Sequence, residues 1–295
     1  MQHFFKSSLF LVTLVFTPLS AEKLDFSSLV NEFMEEGNVL KTTINLSGKQ
    51  RMLTQRMSKL ALQVDLNIQK KKSSAELKKM AALYDMTLKA FSNGNSDLGI
   101  KKANNKKVLA QIAVLEKAWK PFHEHVTKIV EGKDDGKSLQ YLIANNEKLL
   151  SLSDDLVKAY EFSNSSSNYL EKARLRVVNI AGRQRMLTQK MTKEKLLLLK
   201  GEHAYSDKLK KTIKLFDSSL ISIVKGDKSL KITKPTNEKI IKQLKVVSEM
   251  WTTLKPLYKK EKSVPKELAI IISKNKELLN EMNAMVQLAE KEAEY

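Results

Sequence analysis

The sequence predicts an all-α protein made of two tandem antiparallel four-helix bundles. Three observations predict it. Pro (5) and Gly (9) are scarce among 295 residues, which starves a sheet protein of turns and suits helices. A segment of the chain recurs without gaps. Apolar residues recur at helical spacing, interrupted at intervals that divide the chain into eight stretches.

The repeat is plain on inspection. Residues 44–59 read Ile-Asn-Leu-Ser-Gly-Lys-Gln-Arg-Met-Leu-Thr-Gln-Arg-Met-Ser-Lys, and residues 178–193 read Val-Asn-Ile-Ala-Gly-Arg-Gln-Arg-Met-Leu-Thr-Gln-Lys-Met-Thr-Lys. The offset from Ile44 to Val178 is 134 residues. Weaker echoes follow. Tyr84-Asp85 answers Phe216-Asp217, Trp119 and Pro121 answer Trp251 and Pro256, and Asn146-Glu147 answers Asn275-Lys276.

In chain order, the first unit should hold helices near 26–69, 74–92, 104–131 and 138–160. The second should hold them near 168–200, 204–225, 236–260 and 265–292. The breaks carry turn residues: Asn93-Gly94-Asn95, Gly132 to Gly136, Gly201, Gly226-Asp227 and Val264-Pro265. Connections this short make neighbouring helices antiparallel, so each unit runs up-down-up-down. The stretch from Phe162 to Asn168 is either a linker or one poor segment of a continuous helix joining the bundles end to end, the second being preferred.

Residues 1–21 read as a signal peptide. His3 and Lys6 precede the short apolar run Leu9 to Phe16, and Pro18, Ser20 and Ala21 supply a break and small residues for cleavage. The run is too short to span a bilayer comfortably. The predicted location is periplasmic, with an uncleaved N-terminal anchor in the inner membrane as the alternative. The bundles then occupy residues 22–160 and 161–295.

The formal charge of +19 fits solvated lysine-rich faces or an anionic partner. The basic residues are scattered, with only Lys70-Lys71-Lys72 as a run. No basic stripe is interleaved with aromatics, which disfavours nucleic acid. Cysteine is absent, which excludes disulfides, thiolate metal sites and cysteine nucleophiles. His123-Glu124-His125 is a poor metal motif, because residues i and i+2 of a helix diverge by about 200°. Trp119 and Trp251 read as core anchors. No nucleophile–base set, phosphate loop or cofactor motif emerges, so neither enzyme activity nor a cofactor is expected.

On a helical wheel the repeated segment has two faces. With Ile44 at zero, Gly48, Arg51, Gln55, Ser58 and Leu62 fall within about 40° of it. Leu46, Leu53, Met57, Leu60 and Val64 gather on the opposite side, at roughly 160–220°. The second copy sets Val178, Gly182, Arg185, Gln189, Thr192 and Leu196 against Ile180, Leu187, Met191 and Leu198. The apolar set is a core stripe, poorer in the second copy, where Glu194 replaces Leu60. The other set follows the spacing of a helix-pair seam. It should pack on another copy of itself, across a homodimer axis or between the repeats, with Gly48 and Gly182 allowing a close backbone approach. Two arginines would then face each other and repel unless something negative lies between them. A planar oxyanion suits the rigid guanidinium forks, and Gln55 and Asn45, with their counterparts Gln189 and Asn179, would add neutral hydrogen bonds. The alternative is that Arg51 and Arg185 pair with carboxylates or cap a helix end.

The signature Ile44-Asn45-x-x-Gly48-x-x-Arg51-Met52, repeated at Val178-Asn179-x-x-Gly182-x-x-Arg185-Met186, resembles that of the PilJ-type sensory domain of type IV pilus chemotaxis transducers. It is also similar to the first periplasmic helix of the NarX and NarQ nitrate/nitrite sensor kinases. The resemblance implies a four-helix bundle, pairing through the first helix, and an anion held between arginines, with nitrate or nitrite as candidates. By position, Arg51 and Arg185 would bind the anion. The sequence departs from those relatives in carrying Lys49-Gln50 and Arg183-Gln184 inside the signature. It also has no recognisable second transmembrane helix, HAMP linker, kinase or methyl-accepting region. The expected function is therefore an exported ligand-binding sensory module that passes its state to a membrane receptor, kinase or transporter. The alternative is a non-catalytic helical protein that uses the same seam for assembly or docking.

Overall fold

The computed structural model describes the backbone of residues 39–163 and 169–292. Residues 1–21, read as a signal peptide, lie outside the described residues, as does the start expected for the first helix near residue 26. Among the described residues there are eight helices. The first unit comprises α1 (Val39–Asp65), α2 (Lys70–Asn93), α3 (Lys106–Val130) and α4 (Lys137–Ser163). The second comprises α5 (Tyr169–Leu199), α6 (Tyr205–Lys225), α7 (Glu238–Lys259) and α8 (Pro265–Glu292). No helix among them is long and apolar enough to cross a membrane.

The two units are built by the same local devices. Asn105 caps α3 by accepting from the backbone N–H groups of Lys107 and Val108, and Asn237 caps α7 by accepting from those of Lys239 and Ile240. Gly94 and Gly226 end α2 and α6 at φ 80° and 78°, after which single antiparallel bridges, Asn95 to Ile100 and Asp227 to Ile232, close each turn. At Gly226 a Cβ would stand 2.8 Å from the Lys234 backbone nitrogen, in a backbone region open essentially to glycine alone. Gly226→Ala is expected to destabilise the protein by about 2–3 kcal/mol, read by denaturant unfolding. Gly94→Ala, with its nearest contact at 3.1 Å, should cost less, and equal costs would contradict the steric reading.

Each tryptophan closes its bundle the same way. The Trp119 indole donates to Asp85 at 3.1 Å, and that of Trp251 donates to Asp217 at 2.9 Å. This explains why Asp85 and Asp217 recur with the tryptophans. Leu46, Leu53, Met57, Leu60 and Val64 lie in the core, as do Leu187 and Met191, while Ile180 and Leu198 are half-buried at its edge.

The bundles stand side by side, with α1 against α5 inside one chain. The pairing is parallel: Lys59 donates to Gln189, and Asp65 pairs with Lys200 at 2.5 Å. Helices α4 and α5 run antiparallel, since Asn179 donates to Glu161 and Lys193 to Glu147. The preferred end-to-end arrangement is therefore replaced by a reversal of the chain. The connection itself, residues 164–168, lies outside the described residues. Flanked by α2, α4 and α5, helix α1 is buried at every residue from Thr43 to Val64.

Candidate functional site

The side chains of the repeated signature meet along the α1–α5 seam in two polar layers. The first is a crosswise pair. Arg51 Nη2 on α1 donates to Asn179 Oδ1 on α5 at 2.7 Å, and Arg185 Nη2 on α5 donates to Asn45 Oδ1 on α1 at 2.7 Å. Each arginine thus reaches one to two turns back along its partner helix, the direction in which long side chains lean on a helix. Both arginines are almost wholly buried.

Gly48 and Gly182 provide the room, but not in the expected manner. The space a Cβ would fill at Gly48 holds Arg51 Nη2, 3.2 Å away. At Gly182 it holds Arg185 Nη2 at 3.3 Å and Arg51 Nη2 at 3.8 Å. No backbone atom of another helix comes within 4 Å of either position. The glycines therefore admit guanidiniums rather than a neighbouring backbone, and both arginines converge beside Gly182.

Further partners complete this layer. Arg51 Nη1 pairs with Asp154 on α4 at 2.8 Å, and Nε donates to the Gly48 carbonyl at 3.4 Å. Arg185 Nη1 donates to Asn283 on α8 at 3.4 Å. Asn179 passes the chain on by donating to Glu161 at 2.8 Å. Burial acts to raise the Asp154 carboxyl, but its bonds to Arg51 and Lys158 hold it below the ordinary value. Burial raises Glu161 above its ordinary value against the opposing pull of Arg51 and Asn179. The carboxylate partner foreseen as an alternative for Arg51 is thus present, alongside the neutral amide.

Gln55 and Gln189 do not join the arginines. Gln55 Nε2 turns to Thr54 and to Asn146 of α4, at 3.3 and 3.4 Å. Gln189 Nε2 turns to Thr188 and to Asn275 of α8, at 3.0 and 3.2 Å. They belong to a second layer organised by two lysines that sequence reasoning did not single out, although both close the repeated segment. Lys59 Nζ donates to Gln189 Oε1 at 2.7 Å and to Asn275 Oδ1 at 3.1 Å. Lys193 Nζ donates to Asn146 Oδ1 at 2.6 Å and to Glu147 Oε1 at 2.7 Å. Each repeat's lysine therefore grips the fourth helix of the other repeat.

The two lysines differ in electrostatics. Beside Lys193 stands Glu147, whose other oxygen accepts from Lys190 at 2.6 Å. Burial acts to raise Glu147, but Lys193 and Lys190 bring it down to about 2. Lys59 has Lys276 at the position answering Glu147. Burial, with repulsion from Arg56 and Lys276 against some help from Glu76, lowers Lys59 to about 7.

The other motifs are accounted for by packing. His123 stacks on Trp119 with ring centroids 4.9 Å apart, while His125 stacks on Tyr141 and hydrogen-bonds Ser138 at 3.0 Å. Among the described residues no three His, Asp or Glu side chains converge as a metal site would require.

A family model described as the N-terminal region of type IV pili methyl-accepting chemotaxis transducers matches residues 37–143 and again residues 171–272. Each four-helix unit thus carries its own match. No curated protein matches the chain.

Proposed function

The chain belongs to the PilJ family, and from that premise we propose that it is an exported periplasmic sensory module that holds a small monovalent oxyanion, nitrate or nitrite, between Arg51 and Arg185. It hands the resulting change to a membrane receptor, kinase or transporter. The family's sensory role in chemotaxis transduction supports signalling to a partner protein.

The observation that carries the oxyanion reading is the convergence of two buried guanidiniums beside Gly182. Their Nη2 atoms lie 3.3 and 3.8 Å from one point beside Gly182, and at an effective dielectric of about 20 the repulsion of two such charges is on the order of 2 kcal/mol. An anion between them removes it. Their Nη2 groups are engaged by the neutral oxygens of Asn45 and Asn179, whereas a charged acceptor makes a hydrogen bond about twice as strong. An oxyanion would therefore compete for these donors. Asp154 already offsets part of the local charge, which favours a monovalent ligand. Displacing Asn45 and Asn179 cuts the ties that fix α1 against α5, and that change in the helix pair is the signal. Gln55 and Gln189 would respond from the adjoining layer rather than touch the ligand.

Titration calorimetry with nitrate and nitrite tests the assignment. The parent is expected to bind saturably, and Arg51→Ala combined with Arg185→Ala to bind at least ~100-fold more weakly, about 2.7 kcal/mol. Asn45→Ala combined with Asn179→Ala should bind more tightly than the parent, because the competing oxygens are gone. Equal affinity in the parent and the arginine variant would refute the site. Failure of the parent to bind any small oxyanion would leave the seam as a fastening between the bundles and favour a docking role.

A further inference from the structure

A cleft lies between the bundles, two to three helical turns along α1 from Arg51, with a volume of about 290 Å³. Its charged lining is Arg56 and Lys59 from α1, Lys72 and Glu76 from α2, and Lys276 and Glu277 from α8. Both acids are already engaged: Glu76 with Arg56 at 3.1 Å, and Glu277 with Lys274 at 2.6 Å. Lys59, Lys72 and Lys276 have no ion-pair partner among the described residues. Arg56 Nε is buried and has no hydrogen-bond partner there. The cleft thus presents an excess of positive charge, with a buried ammonium at one wall.

The internal repeat shows what such an ammonium accepts. In the pseudo-equivalent position, Lys193 is met by the protein's own carboxylate, Glu147, at 2.7 Å. The second repeat has Lys276 where the first has Glu147, so around Lys59 a cation and an open cleft replace that acid. We propose that the carboxylate is supplied from outside: the cleft binds a small organic dicarboxylate, one end on Lys59 and Lys276 and the other toward Lys72 at the first turn of α2. A water's share of liquid volume is about 30 Å³. The cleft is therefore much larger than a four-atom oxyanion requires and fits a short carbon chain carrying two charges. The first turn of a helix adds backbone donors and the favourable end of its dipole.

The site carries its own signature. Lys59 faces Arg56 on its own helix, Glu76 from α2, Lys276 from α8 and the neutral Gln189 from α5. Burial and its cationic neighbours bring Lys59 down to about 7, so at pH 8 most molecules carry it neutral. A carboxylate beside it restores the charged form, and binding draws a proton from solution.

Calorimetric titration of the full chain with succinate at pH 8, in two buffers of different ionisation enthalpy, reads both affinity and proton uptake. We expect saturable binding with close to one proton taken up, and butyrate and sulfate each binding at least ~10-fold more weakly. Lys276→Glu, which installs the missing acid, should abolish binding and leave a folded protein, as judged by its circular dichroism. Lys59→Met should lose both binding and uptake. Nitrate added in excess should not displace succinate, which separates this cleft from the oxyanion site. The proposal is overturned if succinate does not bind, if butyrate or sulfate binds as well, if no proton is taken up, or if Lys276→Glu binds like the parent.

Discussion

Lys59→Met is expected to change the pH dependence of stability by about 3 kcal/mol between pH 6 and pH 9. The sign follows from proton counting. In the unfolded chain Lys59 titrates near 10.5, and in the folded protein near 7. Between these values the unfolded state binds more protons than the folded one, so the parent gains stability as pH rises through this window. Below pH 7 both states are protonated and the full cost of burying the ammonium is present. Methionine has similar shape and no charge, so it removes this component. It also leaves Gln189 Oε1 without the Lys59 donor, a loss of about 1–3 kcal/mol at every pH. The variant should therefore be more stable than the parent at pH 6, with the difference shrinking or reversing by pH 9. Chemical denaturation at a series of pH values measures both curves. Parallel curves would show that Lys59 stays charged throughout.

The larger structural effect is expected at the tryptophans. Trp251→Ala should destabilise the protein by about 3–5 kcal/mol, and Trp119→Ala by a similar amount. Trp119 lies 4.2 Å centroid to centroid from Tyr84, and Trp251 lies 4.4 Å from Phe216. Both are buried between helices, where a truncated side chain leaves a cavity that fixed helices cannot close. Each also leaves an aspartate without its indole donor. Asp217 keeps Lys255, whose Nζ lies 2.9 and 2.8 Å from its two oxygens. Asp85 keeps Lys89 at 2.7 Å, an exposed pair of small worth. Trp→Phe at either site should cost less than Trp→Ala by most of the ring's burial. A tryptophan variant as stable as the parent in denaturant unfolding would remove the indole from the core argument.

The fold was legible because it rests on signals local in sequence. Apolar spacing, glycine and asparagine breaks and the gapless repeat place the end of the first helix and both ends of the other seven within several residues of where the structure has them among the described residues. The seam was legible for the same reason: Gly48 and Arg51 share one helix face with Asn45 at its margin, and their copies are spaced alike. What the wheel could not supply is reach. Gln55 shares the face of Arg51, but the arginine leans back toward Gly48 while the shorter amide meets Asn146, so the two lie in different layers. Lys59 and Lys193 were invisible as site residues because a lysine on a basic chain reads as solvated. Their burial is imposed by Asn275, 216 residues away, and by Asn146, 47 residues away. The direction in which α5 leaves α4 was likewise beyond a local reading, since it depends on cross-helix partners such as Asn179 with Glu161.

The parallel α1–α5 pairing joins two halves carried on a single polypeptide. Their encounter is unimolecular, so it does not depend on the concentration of the protein. This pairing therefore neither assembles nor falls apart as expression rises or falls. One gene encoding both partners also frees them from having to be identical, as a protein pairing with its own copy must be. A difference such as acid against base between Glu147 and Lys276 alters one side only, so two repeated halves can carry a different specificity on each side of their pairing.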